Sequence, residues 1–171
     1  MGRPFYGAQN ILDSQNNGYR DTASAISELV DNSIQANAKS VEIILVQDKQ
    51  KRDNIIDIMI VDDGDGMDEH QFQFALQRSS GTRSGAKKGL GKYGEGLPNA
   101  SLSQTKRTEV YTQKKGGEIL FNYIDIQEMF DLQDTNLRDI EKRNSIDIPL
   151  IKSNAYTSKD ISTIVRWQNP N

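Results

Sequence analysis

Glu28 and Asn32 stand four residues apart, so on a helix they share one face, a carboxylate beside a carboxamide. A carboxylate so placed can orient and deprotonate an attacking water, and a carboxamide oxygen can ligate magnesium. Taken alone, the pair is more simply a solvated helix face. A second cluster reads Asp62, Asp63, Gly64, Asp65, Gly66, Met67 and directly follows a β-branched run. A carboxylate at a strand end can accept a hydrogen bond from the exocyclic amino group of adenine, and the glycines let the backbone pass close to the base. Asp62 is the residue placed to do so. A plain turn and a calcium loop compete with this reading, but the bidentate Glu of an EF-hand would fall on Phe74 counted from Asp63, or on Gln73 counted from Asp62. Calcium is excluded.

The third cluster runs from Gly89 through Leu90, Gly91, Lys92, Tyr93, Gly94 and Glu95 to Gly96, with Ser79, Ser80, Gly81, Lys87 and Lys88 before it. A Walker loop needs Ser or Thr after its lysine and finds Tyr93; a Rossmann loop joins the first strand to the first helix, which this segment does not. What remains is a glycine-rich loop entering a helix N-terminus, where unpaired N–H groups and the positive dipole end favour phosphate. A flexible linker is an almost equal alternative for this piece alone.

The elements that must position these residues are readable in outline. Residues 1–20 follow no clear period and read as a loop or loosely attached arm. Ile26, Leu29, Val30 and Ile34 predict a helix over 22–36, capped by Asp21 or Thr22, and this places Glu28 and Asn32 outward, away from an Ile26 and Val30 core stripe. Runs at 41–46 and 55–61 predict two strands that pair antiparallel. A short helix is expected at 68–78, a loop at 79–94 and another helix at 96–103. Strands at 108–112 and 118–124 flank the turn Lys114 to Gly117, making a hairpin, and 161–167 reads as a last strand. Residues 125–158 mix weak helical and extended signals and give no order.

Composition sets limits on function. The 171 residues suit one domain, taken as 21–171 after the 1–20 arm, and 35% hydrophobic with 26% charged residues suits a folded globular chain. With 21 basic against 24 acidic residues, bulk charge predicts no nucleic-acid binding. Lys87, Lys88, Lys92, Lys106 and Arg107 are the local exception, a candidate basic patch for phosphates or nucleic acid, set against the plainer reading of solvated loop charges. The absence of cysteine removes disulfides, thiolate zinc sites and thiol nucleophiles. The single histidine, His70, lies in a polar stretch with no second histidine to share a metal. No apolar run approaches the ~20 residues of a membrane span and no signal pattern opens the chain, so a soluble intracellular protein, cytoplasmic or in the nucleoid or nucleus, is expected.

In this order and spacing, the three clusters resemble the N, G1 and G2 boxes of the GHKL superfamily, which includes gyrase B subunits, MutL, a heat-shock chaperone, histidine kinases and MORC proteins. Glu28-Leu29-Val30-Asp31-Asn32-Ser33, Asp62 to Met67, and Gly91-Lys92-Tyr93-Gly94-Glu95-Gly96-Leu97 are most similar in wording to the MORC, MutL and chaperone branch. The resemblance covers roughly residues 20–112, and Ser162-Thr163-Ile164-Val165 adds a weaker fourth match. It implies the Bergerat fold, a two-layer α/β sandwich with a mixed, mostly antiparallel sheet covered by helices on one face, ATP between the layers and 79–94 as the ATP lid.

By this resemblance Glu28 is the general base and Asn32 the magnesium ligand. Asp62 reads adenine with Gly64 beside it, Gly66 and Met67 form the pocket floor, and Thr163 helps hold the adenine-reading carboxylate and its water. Gly91, Lys92, Gly94 and Gly96 meet the phosphates, with Ser80, Gly81, Gly89, Tyr93 and Glu95 among the other nucleotide-binding residues. Many members carry Asp three residues after the magnesium Asn, where this chain has Gln35. The implied function is a magnesium-dependent ATPase used as a conformational switch, with ATP-dependent homodimerisation through the lid and the arm. Such relatives receive a lysine at the γ-phosphate from a following transducer-type domain; the chain ends at Asn171, and a fragment of a longer protein is expected. The alternatives are a non-hydrolysing ATP sensor, which Gln35 and the missing transducer keep open, and a histidine kinase, which would need a phospho-accepting histidine ahead of Glu28.

Overall fold

The computed structural model describes residues 3–4, 21–77, 96–152 and 160–171. The short strand β1 (Arg3–Pro4) comes first, followed by helix α1 (Thr22–Gln35). Asp21 caps α1, its side chain accepting from Ser24 N at 2.7 Å, which satisfies a backbone donor the helix itself leaves open. Strands β2 (Val41–Gln47) and β3 (Ile55–Asp62) pair antiparallel, as their β-branched runs predict. Helix α2 (Glu69–Leu76) begins with a reciprocal capping box between Asp68 and Gln71. Helix α3 (Gly96–Leu102) leads into the β4 (Arg107–Thr112) and β5 (Ile119–Asp125) hairpin.

The stretch that carries no clear sequence signal forms small pieces: α4 (Ile126–Asp131), β6 (Asn136–Leu137), β7 (Glu141–Arg143) and α5 (Pro149–Lys152). Strand β8 (Thr163–Gln168) closes the sheet, whose order is β2-β3-β8-β4-β5-β7. Every pairing among the described strands is antiparallel, in line with the mostly antiparallel sheet expected. Arg3 and Pro4, inside the segment read as an arm, pair with Leu137 and Asn136 of β6.

Alternation along the strands builds two cores. On the helix side, Ile58, Ile60, Val110, Val165 and Trp167 pack against Leu29 of α1, Phe72 and Leu76 of α2, and Leu97 and Leu102 of α3. On the other face Met59, Val61, Tyr111, Phe121 and Ile164 pack with Ile148, and Leu150 and Ile151 of α5 join them. Burial of β3 on both faces makes its sequence almost continuously apolar from Ile58 to Val61. The second face also carries an ion-pair strip: Arg166 bridges Asp57 at 2.8 Å and Glu109 at 3.2 Å, and Arg107 bridges Glu109 at 3.0 Å and Asp125 at 3.3 Å.

Candidate functional site

The helix that carries Glu28 and Asn32 does not present them to solvent. Its buried residues are Ala25, Leu29, Asn32 and Ser33, so the inward stripe runs through small and polar side chains. Ile34, expected in the core, is 59% exposed. The outward placement of Asn32 is therefore corrected: it is 6% exposed, on the helix face turned toward the sheet, and its Nδ2 has no hydrogen-bond partner. Small residues at Ala25 and Ala36 let α1 approach closely, and alanine contributes little to an apolar pattern. Glu28 is half-buried, one turn earlier, and its carboxylate lies against Gly96 at the start of α3.

Asp62 ends β3 on the helix-side face and is 4% exposed. Its Oδ2 accepts from the Ser33 hydroxyl at 2.8 Å and its Oδ1 from Gly64 N at 3.0 Å. Burial pushes its carboxyl above the ordinary range, an effect that these two donors oppose and the neighbouring Asp63 reinforces. Strand register sets Asp62 opposite Thr163 and Thr163 opposite Thr112, one polar row across three strands. The Thr163 and Thr112 hydroxyls are 3.1 Å apart, and Thr112 Oγ1 accepts from Met67 N at 3.0 Å. The Thr163 hydroxyl is thus joined to Thr112, and the hydroxyl on Asp62 itself comes from Ser33.

The acidic turn after β3 is tied to protein on both sides. Asp63 Oδ1 accepts from Lys39 N and Ser40 N, each at 2.8 Å, and these backbone donors, Ser40 foremost, hold its carboxyl below the ordinary range. Asp65 N donates to Ala36 O at 2.8 Å, and Asn37 Nδ2 donates to Asp65 Oδ2 at 2.6 Å. Gly66 has φ +65, and a Cβ there would lie 1.9 Å from the Gln113 carbonyl oxygen. Ser162, the residue before β8, donates its hydroxyl to Gly64 O, so the entry to that strand also grips the turn. Ser33 and Ser162 lie inside the quoted motifs but were given no role there, and Thr112 and Gln113 were not singled out, because the partners of all four lie far away in the chain.

Ser80, Gly81, Gly89, Gly91, Lys92, Tyr93, Gly94 and Glu95 lie outside the described residues, as do Lys87 and Lys88. Of the expected basic patch, Lys106 is exposed, but Arg107 is engaged by Glu109, Asp125 and the Tyr123 ring, which corrects its assignment to a free cationic surface. A separate cavity of about 350 Å³, lined by Tyr123, Asp125, Glu128 and Met129 among others, lies away from this cluster. Two of its carboxylates are occupied: Asp125 by Arg107 and Glu128 N, Glu128 by Tyr123 and Arg138. Among the described residues no group of three His, Cys, Asp or Glu side chains could hold a metal, and no helix is long and apolar enough to cross a membrane.

The arrangement therefore offers a buried hydrogen-bond acceptor at a strand end and, on the helix that holds it through Ser33, a buried carboxamide whose nitrogen has no partner and a carboxylate one turn earlier. The family described as "Histidine kinase-, DNA gyrase B-, and HSP90-like ATPase" matches residues 19–161, which include all three clusters. This chain belongs to that family, the GHKL ATPases. A relative, the DNA mismatch repair protein MutL of Pediococcus pentosaceus, is 28% identical over 125 residues, which is 69% of this chain and 19% of that protein. The GHKL chain thus spans about a fifth of the curated relative's length. A solved structure titled "Crystal Structure of N terminal domain of a DNA repair protein" superposes with a TM-score of 0.61 at 21% identity, covering 97% of this chain and 42% of the other. That likeness supports the GHKL fold over nearly the whole chain.

Proposed function

We propose that this GHKL domain binds ATP with magnesium and hydrolyses it slowly, using the nucleotide as a conformational switch. The observation that carries the reading is the burial of Asp62, held by Ser33 from the same helix that bears Glu28 and Asn32. An ionised carboxylate at that position accepts the adenine amino group and disfavours a purine carrying an oxygen there. Gly64, Gly66, Met67 and Thr163 complete this end of the pocket. Asn32 fits a magnesium role through its Oδ1, since it is buried on the helix that also bears Glu28, and its unpartnered Nδ2 is left free to donate to a phosphate oxygen or water. In the absence of a carboxylate cage among the described residues, the ion would be shared with the phosphates, whose charge it neutralises.

Glu28 is the general base, orienting and deprotonating water for attack on the terminal phosphoryl group. Residues 79–94 act as the lid, with Ser80, Gly81, Gly89, Gly91, Lys92, Tyr93, Gly94 and Glu95 closing on the nucleotide. Closure orders the lid and the 1–20 arm for dimerisation, and a transducer-type domain beyond 21–171 supplies the lysine at the γ-phosphate. Gln35, exposed at the end of α1, favours keeping one second reading in view, an ATP sensor without turnover.

One experiment separates these readings: nucleotide binding by calorimetry and phosphate release, with magnesium, for the natural chain, Glu28→Ala and Asp62→Asn. The ATPase reading expects ATP to bind, Asp62→Asn to weaken it, and Glu28→Ala to abolish turnover while sparing affinity. Binding without turnover, including in a longer chain carrying the next domain, establishes the sensor. No ATP binding by the folded protein overturns both.

A further inference from the structure

We propose that Gly96 is a positioning residue for Glu28: the missing side chain leaves the space in which the Glu28 carboxylate is held. The role in catalysis rests on the reading of Glu28 as general base; the steric contact does not. A Cβ at position 96 would lie 2.0 Å from Glu28 Oε1, 2.7 Å from its Cδ and 2.8 Å from its Cγ. These are the three nearest heavy atoms, and all belong to one side chain. The backbone does not ask for glycine here: the described glycines with positive φ are Gly66 and Gly116, so Gly96 has an angle alanine can adopt. Alanine is also the better helix former at the start of α3. What glycine provides at this position is room.

Helix α3 cannot back away to make that room. Leu97, Pro98, Ala100, Ser101 and Leu102 are buried. Trp167 Nε1 donates to Ser101 Oγ at 2.9 Å, tying α3 to β8, and the Thr22 hydroxyl donates to Gln104 Oε1 at 2.7 Å, tying its C-terminal end to the start of α1. A methyl group at 96 therefore displaces the flexible end of Glu28 and leaves the helices in place. A general base must lie within hydrogen-bond reach of its water, and a misplacement of about 1 Å can cost about 100-fold in rate.

The test is Gly96→Ala in the natural chain and in the Glu28→Ala background, with ATP affinity, kcat and urea unfolding measured for all four proteins. Turnover is expected to fall about 100-fold in Gly96→Ala, well beyond any loss of ATP affinity. Unfolding is expected to be non-additive: alanine at 96 is more favourable once Glu28 is trimmed, by about fivefold or more in the unfolding equilibrium constant. Unchanged turnover overturns the proposal. So does a loss of ATP affinity as large as the loss of turnover, which would make Gly96 a nucleotide contact instead. If the natural chain alone hydrolyses no ATP, turnover is read in a longer chain carrying the next domain, and its absence there is the failure of the ATPase reading; the unfolding cycle decides the contact in either case, coupling supporting it and additivity overturning it.

Discussion

Ser33 and Asp62 are 29 residues apart in the chain, and the Ser33 hydroxyl donates to Asp62 Oδ2 at 2.8 Å in a buried setting. This bond fixes the orientation of the carboxylate that is proposed to read adenine. Ser33→Ala is expected to weaken ATP about tenfold, the equivalent of ~1.4 kcal/mol for a hydrogen bond to a charged group. Isothermal titration checks this, and the variant should keep its far-ultraviolet dichroism.

Asp62 also makes stability depend on pH. Burial, the largest influence, raises its carboxyl above the ordinary 3.8. A carboxyl that is protonated more readily in the folded chain contributes stability below the unfolded value, and that contribution is lost as pH rises through the raised folded value. At neutral pH the ionised group is thus a cost to the fold. Asp62→Asn is expected to melt higher than the natural chain at pH 7, to lose that advantage as the pH falls through the raised folded value towards 3.8, and to bind ATP less well. Scanning calorimetry across that range would expose an error of sign at once.

Asn32→Ala separates stability from ligand binding in another way. The buried Nδ2 has no partner, so its removal relieves a desolvation penalty that offsets the lost packing. Without nucleotide, the urea midpoint should correspond to a change within about 1 kcal/mol. The added stability given by ATP with magnesium should largely disappear.

Gly66→Ala should be costly whether or not nucleotide is present. The position combines φ +65 with a Cβ that would lie 1.9 Å from a backbone carbonyl oxygen, which no rotamer change relieves. A loss of about 3 kcal/mol in urea unfolding is expected. A near-natural midpoint would show that the turn can move away from Gln113.

On the opposite face of the sheet, Arg166→Leu leaves the Asp57 and Glu109 carboxylates, 15% and 9% exposed, without their shared cation. Glu109 keeps Arg107, so the damage falls chiefly on Asp57. Breaking a buried pair from one side costs about 3 kcal/mol or more, and Arg166→Lys should recover only part because lysine lacks the two-armed geometry. Denaturant unfolding of both variants at neutral pH measures the difference.

The regular strands and the first helix were legible because β-branched runs and capping residues act locally. Asp21 at the N-cap and the antiparallel pairing of β2 with β3 follow from neighbours in sequence. The inward face of α1 was misread because Ile34 is exposed, while Ala25, Asn32 and Ser33 are buried around polar chemistry that an apolar stripe cannot reveal. Residues 126–152 form elements of six residues or fewer, placed by pairing with Ile119, Leu120 and Phe121 of β5, with Arg3 and Pro4, and by packing on the rear of the sheet. Such placement comes from distant partners. The same holds for Ser33 and Thr112, whose roles exist only once Asp62 and Met67 have arrived beside them.

Strand β8 lies between β3 and β4, and those two strands meet only through it. During synthesis the two earlier hairpins can form as soon as they emerge, since each needs only its own turn and neighbours. Neither can join the other until Thr163–Gln168 has left the ribosome. Until that moment the nascent chain exposes facing strand edges, the surface that chaperones shield and that aggregation exploits. The polar row of Asp62, Thr163 and Thr112 is assembled by the same event, so the buried polar row and the continuous sheet are completed together.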